Sequence, residues 1–249
     1  SLELATLARV LVAMAGAQAA IGATNDLCDQ PLDRLSRPEK PLVRGLIRPE
    51  HALLVALAGS AAVLLLLPKL GLLALLLGLL VEGLGLAYDL GLKRTPWSGL
   101  LYAIYFPLIP LLAWTVFGRW QPFLPWLVPI GAALGLAMNV SNSLPDLEAD
   151  LAHGVRGLPH QLGVRRGLLL TWLTPPAAVA LLWLLDLSRV VPARALGMWI
   201  ATVFAVVTPV AAWALYRRCP VPRTLRTTFY IQALGVVGLG AAWLAAVAF

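Results

Sequence analysis

"HALLVALAGSAAVLLLL", residues 51–67, contains no ionisable side chain after its opening histidine. The stretch approaches the roughly 20 apolar residues needed to cross the ~30 Å hydrocarbon core of a bilayer. A second run follows almost at once, "LGLLALLLGLLVEGLGLAY" at residues 70–88, interrupted by a single glutamate. The whole chain of 249 residues is 60% hydrophobic and 12% charged. A soluble domain has about 45–50% apolar and about 25% charged residues, so this composition describes a membrane protein. Lipid offers no partner to an unpaired backbone amide, so such spans are helical. The expected fold is all-α: a polytopic bundle of transmembrane helices.

Hydropathy and the Pro/Gly punctuation of "LPKLG", "GRWQP" and "RCPVPR" divide the chain into eight spans. They are expected at about 2–24, 49–67, 70–88, 98–117, 122–142, 167–186, 194–216 and 228–248. The connections 25–48, 89–97, 143–166 and 217–227 hold 14 of the 19 Lys and Arg residues. Lys69, Arg119, Arg189 and Arg194 fall on the other side, and Arg9 falls in the first span. The positive-inside rule then makes the charged loops cytoplasmic, in a multi-pass cell-membrane protein with both termini outside. Trp114, Trp120 and Trp126 gather around one outer loop, as interface anchors or as packing. The net charge of +7 reads as this topological signature and not as a nucleic-acid surface. Cys28 and Cys219 are too few and too far apart for a disulfide framework or a zinc site. No cleavable signal peptide is visible, and a start at Ser1, almost inside the first helix, suggests a trimmed or partial chain.

An echo runs through the sequence. Asn25, Asp29 and Asp33 recur as Asn142, Asp146 and Asp150 at a constant offset of 117, each set at the cytoplasmic end of a span. This spacing suggests one transmembrane domain over 1–249 made of two four-helix pseudo-repeats, about 1–117 and 118–249.

The acidic sets carry the chemistry. Asp26, Asp29 and Asp33 lie at i, i+3 and i+7, one face of a continuous helix, and Asp146 and Asp150 at i and i+4. Pro31 and Pro145 disfavour a helix interior. The first set therefore either stays on one helix or straddles a helix end and a new turn. The second is expected to begin a short helix, with Pro145 in its first turn and Ser143 as cap. Clustered carboxylates near a membrane repel one another, and a bound cation relieves that repulsion. Hard oxygen donors without a His–Cys grouping suit Mg²⁺ better than zinc. Mg²⁺ takes one or two carboxylates and completes its shell with water and substrate phosphate. Arg37, Lys40, Lys93, Arg94 and Arg156 could grip the phosphate directly. Acids, metal and flanking bases together describe a diphosphate site beside an apolar bundle, hence a lipid diphosphate. Loss of diphosphate from an allylic carbon leaves a cation that aromatic faces stabilise. Tyr88, Trp97, Tyr102, Tyr105 and Phe106 are candidates for that role or for ordinary packing. Glu82, inside a span, is expected to make a polar interhelical contact. His51 opens a helix, and His153 and His160 lie in the loop of the second acidic set; for His153 a solvated loop role outweighs that of proton acceptor.

These motifs resemble the UbiA superfamily of intramembrane prenyltransferases. The first motif, N-D-x-x-D-x-x-x-D, is met by Asn25, Asp26, Asp29 and Asp33, and its continuation by Arg37, Pro38, Lys40, Pro41, Leu42 and Gly45. Tyr88, Lys93 and Arg94 match the Y-x-x-x-x-K-R element. Asp146 and Asp150 match D-x-x-x-D, followed by Gly154, Leu158, Pro159, Leu162 and Gly163. The resemblance implies two Mg²⁺ ions held by Asp26, Asp29, Asp33, Asp146 and Asp150. It implies substrate binding by Asn25, Arg37, Lys40, Tyr88, Lys93, Arg94, Asn142 and Arg156. The implied reaction transfers a prenyl group from an allylic prenyl diphosphate to an acceptor. An aromatic acceptor comes first, and a glycerol-phosphate ether lipid or porphyrin-type ring is the alternative. The expected partners are those substrates and membrane lipids, with no nucleic acid and no protein partner. Two departures stand out. The family usually has nine spans, so its first helix is missing here, and Pro145 and the Arg156-Gly157 pair replace residues common in the family. A secondary transporter and an inactive scaffold are the readings from other classes. Dependence on Mg²⁺ and a prenyl diphosphate would separate them from the enzyme.

Overall fold

A computed structural model describes residues 2–117, 121–152 and 154–248. Arg119, Trp120 and His153 lie outside the described residues. Among the described residues nine α-helices follow in order: α1 (Leu2–Ser36), α2 (Pro49–Leu66), α3 (Leu72–Asp89), α4 (Ser98–Phe117), α5 (Leu124–Ser143), α6 (Leu147–Ala152), α7 (Leu158–Leu187), α8 (Ala195–Arg218) and α9 (Pro222–Ala248). All but the short α6 are long and apolar enough to cross a membrane, eight in the described residues. No strand occurs among the described residues. Leu72, Leu187 and Leu196 are each more than 70% exposed, an outward apolar surface that only lipid would cover. The protein is a multi-pass membrane helical bundle.

The helices outrun the spans expected from hydropathy. α1 continues to Ser36, α7 begins at Leu158 and α9 begins at Pro222. Hydropathy registers only the turns inside the hydrocarbon, whereas a helix keeps its own hydrogen bonds and can continue beyond it as a charged extension. α1 carries Pro31 in its interior, where the ring removes one i→i−4 bond without ending the helix. The first acidic set therefore lies on one continuous helix. In the second, a 3₁₀ turn over Leu144–Asp146 holds Pro145 and leads into α6. Ser143 makes no cap there. Its hydroxyl donates to the Asn139 carbonyl of the preceding turn at 3.1 Å.

The chain groups into two compact units, Ser1–Leu101 with Leu108–Arg119, and Tyr102–Pro107 with Trp120–Phe249. In the first unit α1 packs on α2 through small residues. A Cβ on Gly59 would lie 2.3 Å from the Gly16 carbonyl oxygen, so only glycine lets these backbones approach so closely. Ala13, Ala17, Val63, Leu67, Ala74 and Leu112 form the core beside this contact. Glu82 is buried and accepts a hydrogen bond from the Ser60 hydroxyl, the interhelical contact expected of it.

In the second unit Val140, Leu144, Leu147, Leu168 and Leu225 make a core beneath the acidic turn. Gly135 packs on the Tyr102 carbonyl and the Phe106 ring. Gly163, at φ 68° and ψ 173°, breaks the helical path of α7, so a fresh helical run begins at Val164. The Gln232 amide donates to the Thr171 carbonyl at 3.2 Å, tying α9 to α7.

Candidate active site

In the first unit, the 3.6-residue period of α1 places Asp26, Asp29 and Asp33 on one face. The segment after α1 turns back through bonds from Lys40 N to the Arg37 carbonyl (3.1 Å) and from Arg44 N to the Lys40 carbonyl (3.0 Å). This turn brings the Lys40 ammonium onto the acidic face. Its Nζ donates to Asp26 Oδ1 at 2.7 Å and to Asp33 Oδ2 at 2.6 Å. Asp33 is 4% exposed, and Lys40 is the cation that pairs with its carboxylate. Burial pulls the Lys40 pKa down, but hydrogen bonds and charge from Asp26 and Asp33 outweigh it, and the net direction is upward.

A second lysine reaches the same helix from the far side. A 3₁₀ turn over Leu92–Arg94 follows α3 and aims Lys93 at α1. Its Nζ donates to Asn25 Oδ1 at 3.0 Å and makes a close ion contact, without hydrogen-bond geometry, 2.6 Å from Asp29 Oδ1. It also lies 3.7 Å from Asp89 Oδ1 at the end of α3. Asp89 is 5% exposed, and its Oδ2 accepts no hydrogen bond. Sequence reasoning missed this carboxylate. The signal was present in "YDLGLKR", where Asp89 stands four residues before Lys93, but it occupies an unspecified position of the matched motif.

Five residues singled out from the sequence in the 25–40 segment thus converge with Lys93 on one locus. Arg37 and Tyr88 are half-buried close by in the chain, while Arg94 is exposed. Lys40 differs from expectation: its ammonium is engaged by carboxylates and does not stand free for phosphate.

The second unit holds its own pair. Arg226 Nη2 of α9 donates to Asp146 Oδ1 at 3.1 Å. His160 Nε2 lies 3.5 Å from Asp150 Oδ2, with its side chain 4% exposed and neither ring nitrogen hydrogen-bonded. His160 is therefore a buried neighbour of the second acidic set. Arg226 was also missed, because it sits 80 residues from Asp146 and belonged to an undifferentiated basic stretch. Asn142 is half-buried and Arg156 exposed. Tyr102 stacks on Phe106 at 6.0 Å and Tyr105 tilts against it at 6.3 Å, whereas Trp97 is 66% exposed.

These donor sets fit a hard divalent cation. In the first unit two ammonium groups stand where positive charge is needed, and the buried Asp89 Oδ2 lacks a donor. Among the described residues no three Asp, Glu, His or Cys side chains close on one point. A magnesium ion here would complete its shell with water and phosphate oxygens, as Mg²⁺ commonly does.

Several known proteins resemble this chain. Digeranylgeranylglyceryl phosphate synthase of Methanothrix thermoacetophila is 28% identical over 166 residues, 67% of this chain and 62% of that protein. The synthase of Natronomonas pharaonis is 31% identical over 172 residues, 68% of this chain and 59% of that protein. The chain therefore spans about three fifths of the length of these curated relatives. The apo structure of a UbiA homolog from Aeropyrum pernix K1 superposes with a TM-score of 0.75 at 22% identity, covering 97% of this chain and 90% of that one. A UbiA homolog from Archaeoglobus fulgidus, solved with DMAPP and Mg²⁺, gives 0.64 at 20% identity, covering 96% and 88%. These two share the fold. The sequence profile of the UbiA prenyltransferase family matches residues 1–229, and the chain belongs to that family.

Proposed function

We propose that the protein transfers a prenyl group from an allylic prenyl diphosphate to a lipid glycerophosphate acceptor within the membrane, with Mg²⁺. The observation that carries this reading is the face of α1 on which Asp26, Asp29 and Asp33 meet Lys40 and Lys93. Acids alone would repel a diphosphate and bases alone would not hold a metal; the locus offers both. The acceptor class rests on the relatives that are digeranylgeranylglyceryl phosphate synthases, and an aromatic acceptor is the second reading. The loops carrying 14 of the 19 basic residues support a cytoplasmic active-site side. The recurrence of Asn25, Asp29 and Asp33 as Asn142, Asp146 and Asp150 supports two pseudo-repeats, each supplying one acidic set.

In this reading the Asp26, Asp29 and Asp33 set would supply one or two carboxylates to one Mg²⁺, and Asp146 and Asp150 would hold a second, with water and phosphate oxygens completing each shell. The metal, when bound, neutralises the leaving diphosphate. Lys93, oriented by Asn25 and Asp89, presents its ammonium to a phosphate oxygen, and Arg37, Arg94, Arg156 and Arg226 add positive charge. Lys40 holds the Asp26–Asp33 pair in register for the metal. Asn142 and Tyr88 position the substrate. The allylic C–O bond breaks with its electron pair on diphosphate. The acceptor hydroxyl oxygen bonds to the allylic carbon and then loses its proton, which leaves an ether. Tyr102, Tyr105 and Phe106 offer ring faces to the cationic carbon.

The test supplies nanodisc protein with labelled geranylgeranyl diphosphate and either geranylgeranylglyceryl phosphate or 4-hydroxybenzoate, in Mg²⁺ or EDTA. Label should enter the glycerophosphate lipid only with Mg²⁺, and Asp29→Asn should reduce transfer at least a hundredfold. Transfer to 4-hydroxybenzoate alone would replace the acceptor assignment. No transfer to either acceptor would overturn the enzymatic reading for this chain.

A further inference from the structure

We propose that the groove between α7 and α8 in the second unit binds an anionic glycerophospholipid from the leaflet on the charged-loop side. The groove has a volume of about 510 Å³ and is lined by Arg165, Leu168, Leu169, Trp172, Trp213 and Arg217 among others. Its two ends differ in chemistry. Arg165 stands in the first turn after the Gly163 break, and Arg217 in the last turn of α8. Both guanidiniums are exposed. No carboxylate lines the groove, so its charge is uncompensated by its own walls. The helical run that starts at Val164 also presents its positive dipole end beside Arg165.

Away from the arginines the wall is apolar. Leu169 is 48% and Trp213 is 43% exposed, and the Trp172 ring leans on Tyr216 at 6.2 Å. The Trp172 indole N–H is buried and has no acceptor among the described residues. Arg217 lies 5.2 Å over the Trp213 ring, which holds its guanidinium at the rim while leaving its N–H edges available. A positive mouth over an aromatic and aliphatic slot matches a phosphate with an acyl chain below it, the chemistry by which basic pockets between spanning helices select anionic headgroups. A second groove of the unit, about 490 Å³ between α8 and α9, has Arg194 as the charged residue among its described lining and otherwise aliphatic, glycine and Phe204 walls. It lacks the paired cations.

The proposal is independent of the enzymatic reading. Full-length protein in micelles holding equimolar phosphatidylglycerol and phosphatidylcholine would be compared by native mass spectrometry. Three variants accompany wild type: Arg165→Gln with Arg217→Gln; Leu169→Trp, which fills the slot and keeps the charge; and Arg44→Gln with Arg48→Gln as a charge-matched control. Wild type and control should retain phosphatidylglycerol at least tenfold over phosphatidylcholine. The groove double variant should bring that ratio near one, and Leu169→Trp should lower total lipid retained. Added inorganic phosphate should leave retention unchanged. Equal retention of both lipids by wild type, an unaltered ratio in the double variant, or an equal loss in the control would overturn the proposal. Displacement by inorganic phosphate would make the groove a free-anion site, which also overturns it.

Discussion

Lys40 joins Asp26 and Asp33 at 2.7 and 2.6 Å, and the Asp33 side chain is 6% exposed. Lys40→Met leaves that carboxylate buried and unpaired, which costs about 3 kcal/mol. The apparent Tm in EDTA should fall by roughly 6–12 °C at about 2–4 °C per kcal/mol. Mg²⁺ should recover part of the loss, because a ligand of the folded state stabilises it; no recovery would separate Lys40 from a metal site. The sign of the pH effect follows from the raised Lys40 pKa. The stability it contributes is present below about pH 10.5, the ordinary lysine value, and is lost as pH rises through the higher folded value. Melting in EDTA across that alkaline range should show a steeper loss in wild type than in Lys40→Met. Asp89→Asn removes one of the carboxylates around Lys93 and should raise the KM for the prenyl diphosphate about tenfold, roughly 1.4 kcal/mol, with a smaller change in kcat. A change in kcat alone would contradict its assignment as a positioning residue. The acidic residues were legible because they came in motifs of helical spacing. Asp89, Arg226 and the buried state of His160 were not, because each acquires its role from a partner brought near by folding.

At the scale of elements, hydropathy identified each spanning helix and missed how far α1, α7 and α9 extend beyond the apolar run. Pro31 inside α1 shows why. Local propensity argues for a break there, yet one lost hydrogen bond is a small penalty against the packing of a 35-residue helix. The glycines carry the opposite lesson, since their closeness appears only in three dimensions. Gly59→Val would drive a side chain into the Gly16 carbonyl and force α1 and α2 apart, at a cost of about 2–3 kcal/mol by overpacking. Gly163→Ala meets no atom within 4 Å but must keep φ at +68°, which costs about 1–2 kcal/mol. Thermal unfolding in one detergent should rank Gly59→Val below Gly163→Ala and both below wild type. The reverse order would mean that the α1–α2 contact contributes less than the turn into α7.

At the scale of the molecule, composition alone announced a membrane bundle, and the all-α fold follows because lipid leaves the backbone no other partner. Membership of the UbiA family was legible in the ordered motifs, each of little meaning alone. The acceptor was not, since motifs suited to a metal and a diphosphate carry no signal that separates a lipid acceptor from an aromatic ring. The central claim is that each acidic set is required for magnesium-dependent binding of the prenyl diphosphate. Equilibrium binding of geranylgeranyl thiodiphosphate to nanodisc protein tests it most directly, in Mg²⁺ and in EDTA, for wild type, Asp29→Asn and Asp146→Asn. The account predicts Mg²⁺-dependent binding that each substitution weakens at least tenfold. Equal binding in EDTA, or full-strength binding by Asp146→Asn, would contradict it.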